Sequence, residues 1–284
     1  MTVTIDAALL QLVQSLFSDL GGTAARRAIP PYLSLANALD KACPAAKNTT
    51  VRVPASVPSM FATAAVEGWL RAVHTFLISA ALTQASPVWA TISGYYASHY
   101  CMRSFAHLLG HFQLFRRKRV VQLESGRPYC SFMQKSGSDR EHAFYWRIVK
   151  RHAHFTEDPL FTENHDDIDV SDAAHRNRVT YADHLSIFPP FRVLTEEALR
   201  QRINFISRIQ FAAPPIPDRS RFPDTESVQV VAYHRIVRFR RFVDEALGGS
   251  NRFWSVHRTP AWTSGVVSFQ LAEQTTLASL DRLR

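Results

Sequence analysis

The chain has 284 residues, enough to bury a sizeable core as one large domain or two small ones. Hydrophobic residues make up 46% and charged residues 20%, a balance ordinary for a globular protein. Its 33 Lys plus Arg against 24 Asp plus Glu give a formal charge of +9, which attracts polyanions without specifying a fold.

Arginine far outnumbers lysine. The planar guanidinium suits phosphate recognition, although the same bias also fits a GC-rich genome. The three cysteines, Cys43, Cys101 and Cys130, are odd in number and have no CxxC spacing. This argues against a disulfide framework and a structural zinc site, and points to a reducing cytoplasm. The opening stretch 1–13 lacks a basic region and turns polar quickly, so no signal peptide is expected. The most apolar window, 60–84, is interrupted by Glu67, Arg71 and His74 and is not expected to span a membrane.

Residues 4–22 read as an amphipathic helix, with Leu9, Leu10, Val13, Phe17 and Leu20 recurring at three- and four-residue steps before Gly21 and Gly22. A short helix follows Pro30 and Pro31, and 44–57 reads as loop. Residues 58–84 form a long apolar helix. Ser86 and Pro87 then cap the next, which runs to about Phe115. After the basic cluster 116–119, residues 120–134 alternate around Ser125 and Gly126 as a β-hairpin. Further helices are expected over 139–153 and 171–185, and over 196–211 behind a Thr195 cap. Residues 211–224 carry four prolines and read as a linker. A strong helix spans 228–247, and another is expected from about 266. The expected fold is all-α: a bundle of about eight helices with a small β-hairpin insertion. Its organisation is N-terminal helices to 58, a bundle over 59–210 with the hairpin near 117–135, the linker 211–224, and a C-terminal helical segment 225–284.

No Walker loop, Rossmann glycine fingerprint, nucleophile elbow or HExxH is present, and ten glycines leave little for phosphate-cradling loops. What remains is Arg, His and Tyr chemistry. Metal-independent RNA cleavage needs a proton-transferring group, a cation for the charge on the transition state, and a polar residue that positions the backbone. The segment 175–184 offers all three types: His175, Arg176, Asn177, Arg178, Tyr181 and His184. Asn177, Tyr181 and His184 share one helical face. The same spacing also fits a solvent-facing basic helix with Tyr181 half buried. A second candidate pair is Arg147 and His152; five positions apart, they lie about 140° apart on a straight helix and converge only near its end. Arg235, Arg238 and Arg241 align at three-residue steps as a phosphate-tracking stripe, or as arginines snorkelling from an amphipathic helix. His99, His107 and His111 lie at spacings of eight and four along one helical face; the i, i+4 spacing resembles a metal-binding pair, but no third ligand that completes it is evident, so no metal and no cofactor is expected.

Two segments resemble the HEPN family (higher eukaryotes and prokaryotes nucleotide-binding). Ser93, Tyr95, Tyr96, Ala97 and His99, followed by Ala106, Leu108 and Leu109, are similar to its early Ser-x-Tyr-Tyr-Ala helix. Arg176 and Asn177 are similar to the start of its later Arg-Asn-x-x-x-His segment, where Tyr181 stands in place of the histidine. The resemblance covers roughly residues 60–210, with the hairpin as an insertion. It implies a helical domain that dimerises so that two such motifs meet in one cleft. It also implies RNA or a nucleotide as ligand. Active relatives are metal-independent ribonucleases in toxin–antitoxin, CRISPR and antiphage systems; others only bind nucleotides or partner nucleotidyltransferases, so a cognate antitoxin or a nucleotidyltransferase is an implied partner. Three readings stay open: His184 substitutes from the next turn, Arg147 and His152 are the working pair, or the domain is catalytically silent. A different class, a non-catalytic module binding a protein through an apolar helical face, fits the composition as well.

Overall fold

The computed structural model describes residues 5–18, 31–125, 127–135, 141–162, 176, 195–209 and 225–248. Eight helices are found among them: α1 (Ala7–Phe17), α2 (Pro31–Ala42), α3 (Val57–Ala81), α4 (Pro87–Leu108), α5 (Glu141–Arg151), α6 (Pro159–Thr162), α7 (Glu196–Arg208) and α8 (Thr225–Ala246). Four strands, β1 (Thr49–Arg52), β2 (His111–Leu114), β3 (Arg119–Leu123) and β4 (Tyr129–Gln134), form one antiparallel sheet in the order β1-β4-β3-β2. The described residues are thus mostly helical with a small antiparallel sheet, in line with the expected helical fold with a β insertion. The expected hairpin is β3–β4, and it is flanked by two further strands.

Both unexpected strands have local causes. β1 follows Asn48, whose backbone takes φ +52° and whose Oδ1 accepts from the Gln134 amide at 3.1 Å. That side-chain bond starts the pairing of β1 with β4 inside a stretch read as loop. Helix α4 stops at Leu108, short of Phe115, because Gly110 adopts φ +75°, a left-handed turn that costs little without a Cβ. A Cβ there would meet Leu123 Cβ at 3.1 Å. The expected caps hold: Thr195 accepts from the Ala198 amide at 3.3 Å, and α4 begins at Pro87 behind Ser86. The expected helices over 171–185 and from about 266, and the linker 211–224, lie outside the described residues apart from Arg176, which is helical.

Two compact units are each drawn from three stretches of chain. One comprises Met1–Trp69, Met102–Thr156 and Arg240–Thr259; the other comprises Leu70–Cys101, Glu157–Phe239 and Pro260–Arg284. Boundaries therefore fall inside α3, α4 and α8 rather than in sequence order.

The first unit holds the sheet, whose apolar face carries Phe112, Val121 and Phe132 in one cross-strand register. His107 stacks on Phe112 at 5.4 Å and 22°, and Tyr32 stands 5.1 Å from the same ring. Phe105, Phe155 and Phe242 form a second aromatic cluster with centroids 5.2–5.9 Å apart. Truncating one such buried ring costs about 3–5 kcal/mol. In the second unit, α3, α4 and α8 contact closely at Gly94, where a Cβ would stand 2.8 Å from Val228 Cγ1. Gln229, fully buried on α8, donates to the Ser79 carbonyl at 2.9 Å and to Thr83 Oγ1 at 2.9 Å. Its own oxygen accepts two bonds from Arg202, at 2.8 and 3.1 Å. A buried amide satisfied at both ends fixes helix register more sharply than apolar packing does.

His107 and His111, which bracket the Gly110 turn, are held neutral by burial. His107 is shifted well below the usual range and His111 down to about 4, the latter also by the charge of His152. The unfolded chain takes up these protons near pH 6.5, while the native state refuses them. Stability is therefore present above pH ~6.5 and is lost as pH falls toward ~4. The urea midpoint, followed by tryptophan fluorescence, should drop between pH ~7 and ~5, and His111→Gln should remove about 1–2 kcal/mol of that drop. An identical drop in the variant contradicts this assignment.

Candidate functional site

The residues expected to carry chemistry fall into both units. In the second unit, the Ser93–Tyr96 segment lies in the first half of α4. Tyr95 points inward at 3% exposure, while Tyr96 and Tyr100 are half-buried. Four-residue spacing puts Tyr96 and Tyr100 on one face, with ring centroids 6.4 Å apart. Tyr95 meets Tyr96 edge-on at 5.4 Å, and the buried His99 sits 6.5 Å from Tyr96 and 5.9 Å from Tyr100. This aromatic and imidazole patch receives Arg176. The guanidinium carbon lies 4.8 Å from the centre of the Tyr95 ring, and the side chain is half-buried. The two segments that carry the family resemblance, far apart in sequence, touch at this point.

A guanidinium stacked on a ring is held by the ring's quadrupole and loses little by desolvation. Arginine's planar fork of N–H donors is also the geometry that matches phosphate. Asn177, Arg178, Tyr181 and His184 lie outside the described residues.

The alternative pair divides differently. Arg147 is half-buried on α5, while His152 lies just past that helix, its amide donating to the Val149 carbonyl at 3.1 Å. His152 Nδ1 accepts from the His154 amide at 3.3 Å, and burial holds its pKa down. A neutral imidazole that accepts at Nδ1 carries its proton on Nε2. His152 lines a cavity of about 450 Å³ in the first unit, and no arginine is among the described residues lining it.

The stripe on α8 is corrected. Arg235 is fully buried, and its Nε donates to the Leu160 carbonyl at 3.0 Å, so it is not presented to a polyanion. Arg238 is half-buried and pairs with Asp158 at 3.2 Å, whereas Arg241 is exposed. Three-residue steps advance about 300° on a helix, so a run of them drifts across the surface and into the core. Arg240, left out of the expected stripe, is buried against Asp244 at 3.1 Å.

Sequence reasoning missed Tyr95 as a platform and Arg202 as the partner of Gln229. The one signal for the latter was a glutamine within the apolar run 228–233. Among the described residues no group of three His, Cys, Asp or Glu is placed to hold a metal ion, and no helix is long and apolar enough to cross a membrane. No family model, curated protein or solved structure matches the chain.

A double-mutant cycle between Tyr95→Leu and Arg176→Met should show coupling of about 0.5–1 kcal/mol in unfolding free energy. Tyr95→Phe, which keeps the ring, should retain it. Zero coupling in the cycle contradicts the stacking.

Proposed function

We propose that the chain is an RNA- or nucleotide-binding protein of HEPN-like type, with Arg176 as its phosphate contact and cleavage of RNA without metal as its activity. The supporting observation is the Arg176–Tyr95 stack, which joins the two segments on which the resemblance rests. The net charge of +9 supports a polyanionic partner. In such cleavage the 2′-oxygen gives its proton to a base and attacks the adjacent phosphorus. The bond to the 5′-oxygen breaks, and that oxygen takes up a proton. On this reading Arg176 offsets charge on the pentavalent phosphorus, Asn177 orients the phosphate, and Tyr181 or His184 transfers the proton. Arg178 and Arg241 add backbone contacts. A homodimer would bring two such motifs together, and an antitoxin or nucleotidyltransferase partner in the cytoplasm would suit a toxin or antiphage effector.

The non-catalytic interaction module is the second reading. It is favoured by Trp89, which is 61% exposed in the first turn of α4.

Purified protein should carry nucleic acid, visible as a raised 260/280 absorbance ratio. It should bind a fluorescent single-stranded RNA in an anisotropy titration. Arg176→Ala should weaken that binding about tenfold and abolish any cleavage, with Arg147→Ala near wild type. A loss in Arg147→Ala alone moves the site to the Arg147–His152 pair. A clean protein that binds no RNA favours the interaction module.

A further inference from the structure

The basic cluster 116–119 is not used by the proposed site at Arg176. The segments that build the sheet, 44–56 and 109–135, hold eight lysines and arginines against one acid, Glu124. Six of the eight gather at one rim, where β2 ends, β3 begins and β4 ends: Lys47, Arg116, Arg117, Lys118, Arg119 and Lys135. Lys47 belongs there because its neighbour Asn48 is bonded to the Gln134 amide. Glu124 follows the far end of β3, roughly 17 Å away along the strand.

The turn between β2 and β3 holds these charges outward. The Lys118 amide donates to the Phe115 carbonyl at 3.1 Å, so Arg116 and Arg117 form the tip. Arg117 Nε donates to Asp40 Oδ1 at 2.7 Å, which anchors the tip to α2, and Arg119 Nη1 donates to the Arg117 carbonyl at 3.4 Å from beneath. Lys118 takes φ +51°, a conformation that glycine or asparagine adopts with less strain, so a cation is kept where the backbone favours another residue. Arg116 and Lys118 are exposed. Among them stands Phe115, 51% exposed, with Lys135 Nζ 5.0 Å from its ring centre. Lys135 covers one face of the ring and leaves the rest to solvent.

Cations alone attract any polyanion; the exposed ring narrows the choice. An anionic bilayer would meet the two tip guanidinium groups before the ring, and inserting the ring would strip water from the ammonium over it. A duplex keeps its bases stacked on one another. A single strand offers phosphates to the cations and the open face of a base to the ring, the pairing that serves sequence-tolerant single-strand binding.

We propose that this rim of the sheet binds single-stranded RNA: one base stacks on Phe115, and Arg116, Lys118 and Lys135 contact the flanking phosphates. The surface lies in the first unit and needs neither Arg176 nor cleavage, so it goes beyond the site proposed above and stands or falls separately from it.

The test is an anisotropy titration of the full chain with a fluorescein-labelled polyadenosine strand and with a ribose–phosphate strand of equal length that lacks bases. The base-bearing strand should bind at least about fivefold more tightly. Phe115→Leu, checked for an unchanged circular dichroism spectrum, should remove that advantage and leave the baseless strand unaffected, while Phe115→Tyr should bind both as the wild type does. The triple variant Arg116→Gln, Lys118→Gln, Lys135→Gln should flatten the log–log salt dependence by about two units for both strands. Should Phe115→Leu fail to fold, the comparison of the two strands on the wild type decides the question. Equal affinity for the two strands, a Phe115→Leu protein that keeps the advantage, an unchanged salt slope in the triple variant, or no binding of RNA overturns the proposal. Binding to phosphatidylserine vesicles that Phe115→Leu weakens, with RNA affinity unchanged, overturns it in favour of a membrane surface. Arg176→Ala, titrated in parallel, separates the two sites: wild-type affinity in that variant removes the Arg176 contact and leaves the rim, and a loss there with none in the rim variants does the reverse.

Discussion

A guanidinium at zero exposure is the constraint around which the Arg176-bearing unit is arranged. Arg235 cannot be left in an apolar interior without partners, and stripping a buried charge of a partner costs about 3–5 kcal/mol. Its Nε donates to the Leu160 carbonyl, which places the short helix α6, and its backbone carbonyl accepts from the Cys101 thiol at 3.2 Å, which places α4. Burial pushes the Cys101 thiol well above its ordinary range, so it stays a protonated donor. The Gln229 network sets the other end of α8 against α3 and against Arg202 of α7. The helix held in this way carries the buried Tyr95 ring on which Arg176 rests.

Arginine in this chain consequently has two kinds of work. Arg235 and Arg240 are interior residues with defined acceptors, and Arg103 is buried with its guanidinium 4.7 Å from the Tyr32 ring. Arg241 faces solvent, and Arg176 sits between these extremes, half-buried and stacked. A half-buried guanidinium on an aromatic face is oriented before any ligand arrives. Less side-chain entropy is then lost on binding than for an extended surface arginine. The proposed phosphate role of Arg176 rests on that preorganisation rather than on the overall positive charge.

Helix positions were legible in the sequence wherever a cap or a period marked them. Ser86–Pro87 and Thr195 begin helices as their chemistry requires, and the apolar period of 58–84 emerges as α3. The sheet was harder to see because its outer strands are four residues each, too short for alternation to register. Gly110 was the available sign that the helix ends early, since a left-handed residue there turns the chain back along Leu123. Two short motifs drew attention to the segments of Tyr95 and Arg176 but not to their contact, and the burial of Arg235 could not be read from spacing. An arginine at a helical step looks the same whether its face meets water or a carbonyl. The nearness of Lys135 to Phe115 was invisible for a related reason: strand register, not sequence separation, puts those groups together.

The central claim is that the guanidinium on the Tyr95 ring neutralises a phosphate. Its most direct test is the salt dependence of RNA affinity, measured for wild type and Arg176→Ala across a series of potassium chloride concentrations. Loss of one phosphate contact should flatten the log–log slope by about one unit while binding weakens uniformly across RNA sequences. Parallel lines for the two proteins would mean that Arg176 contacts no phosphate, and would contradict the account.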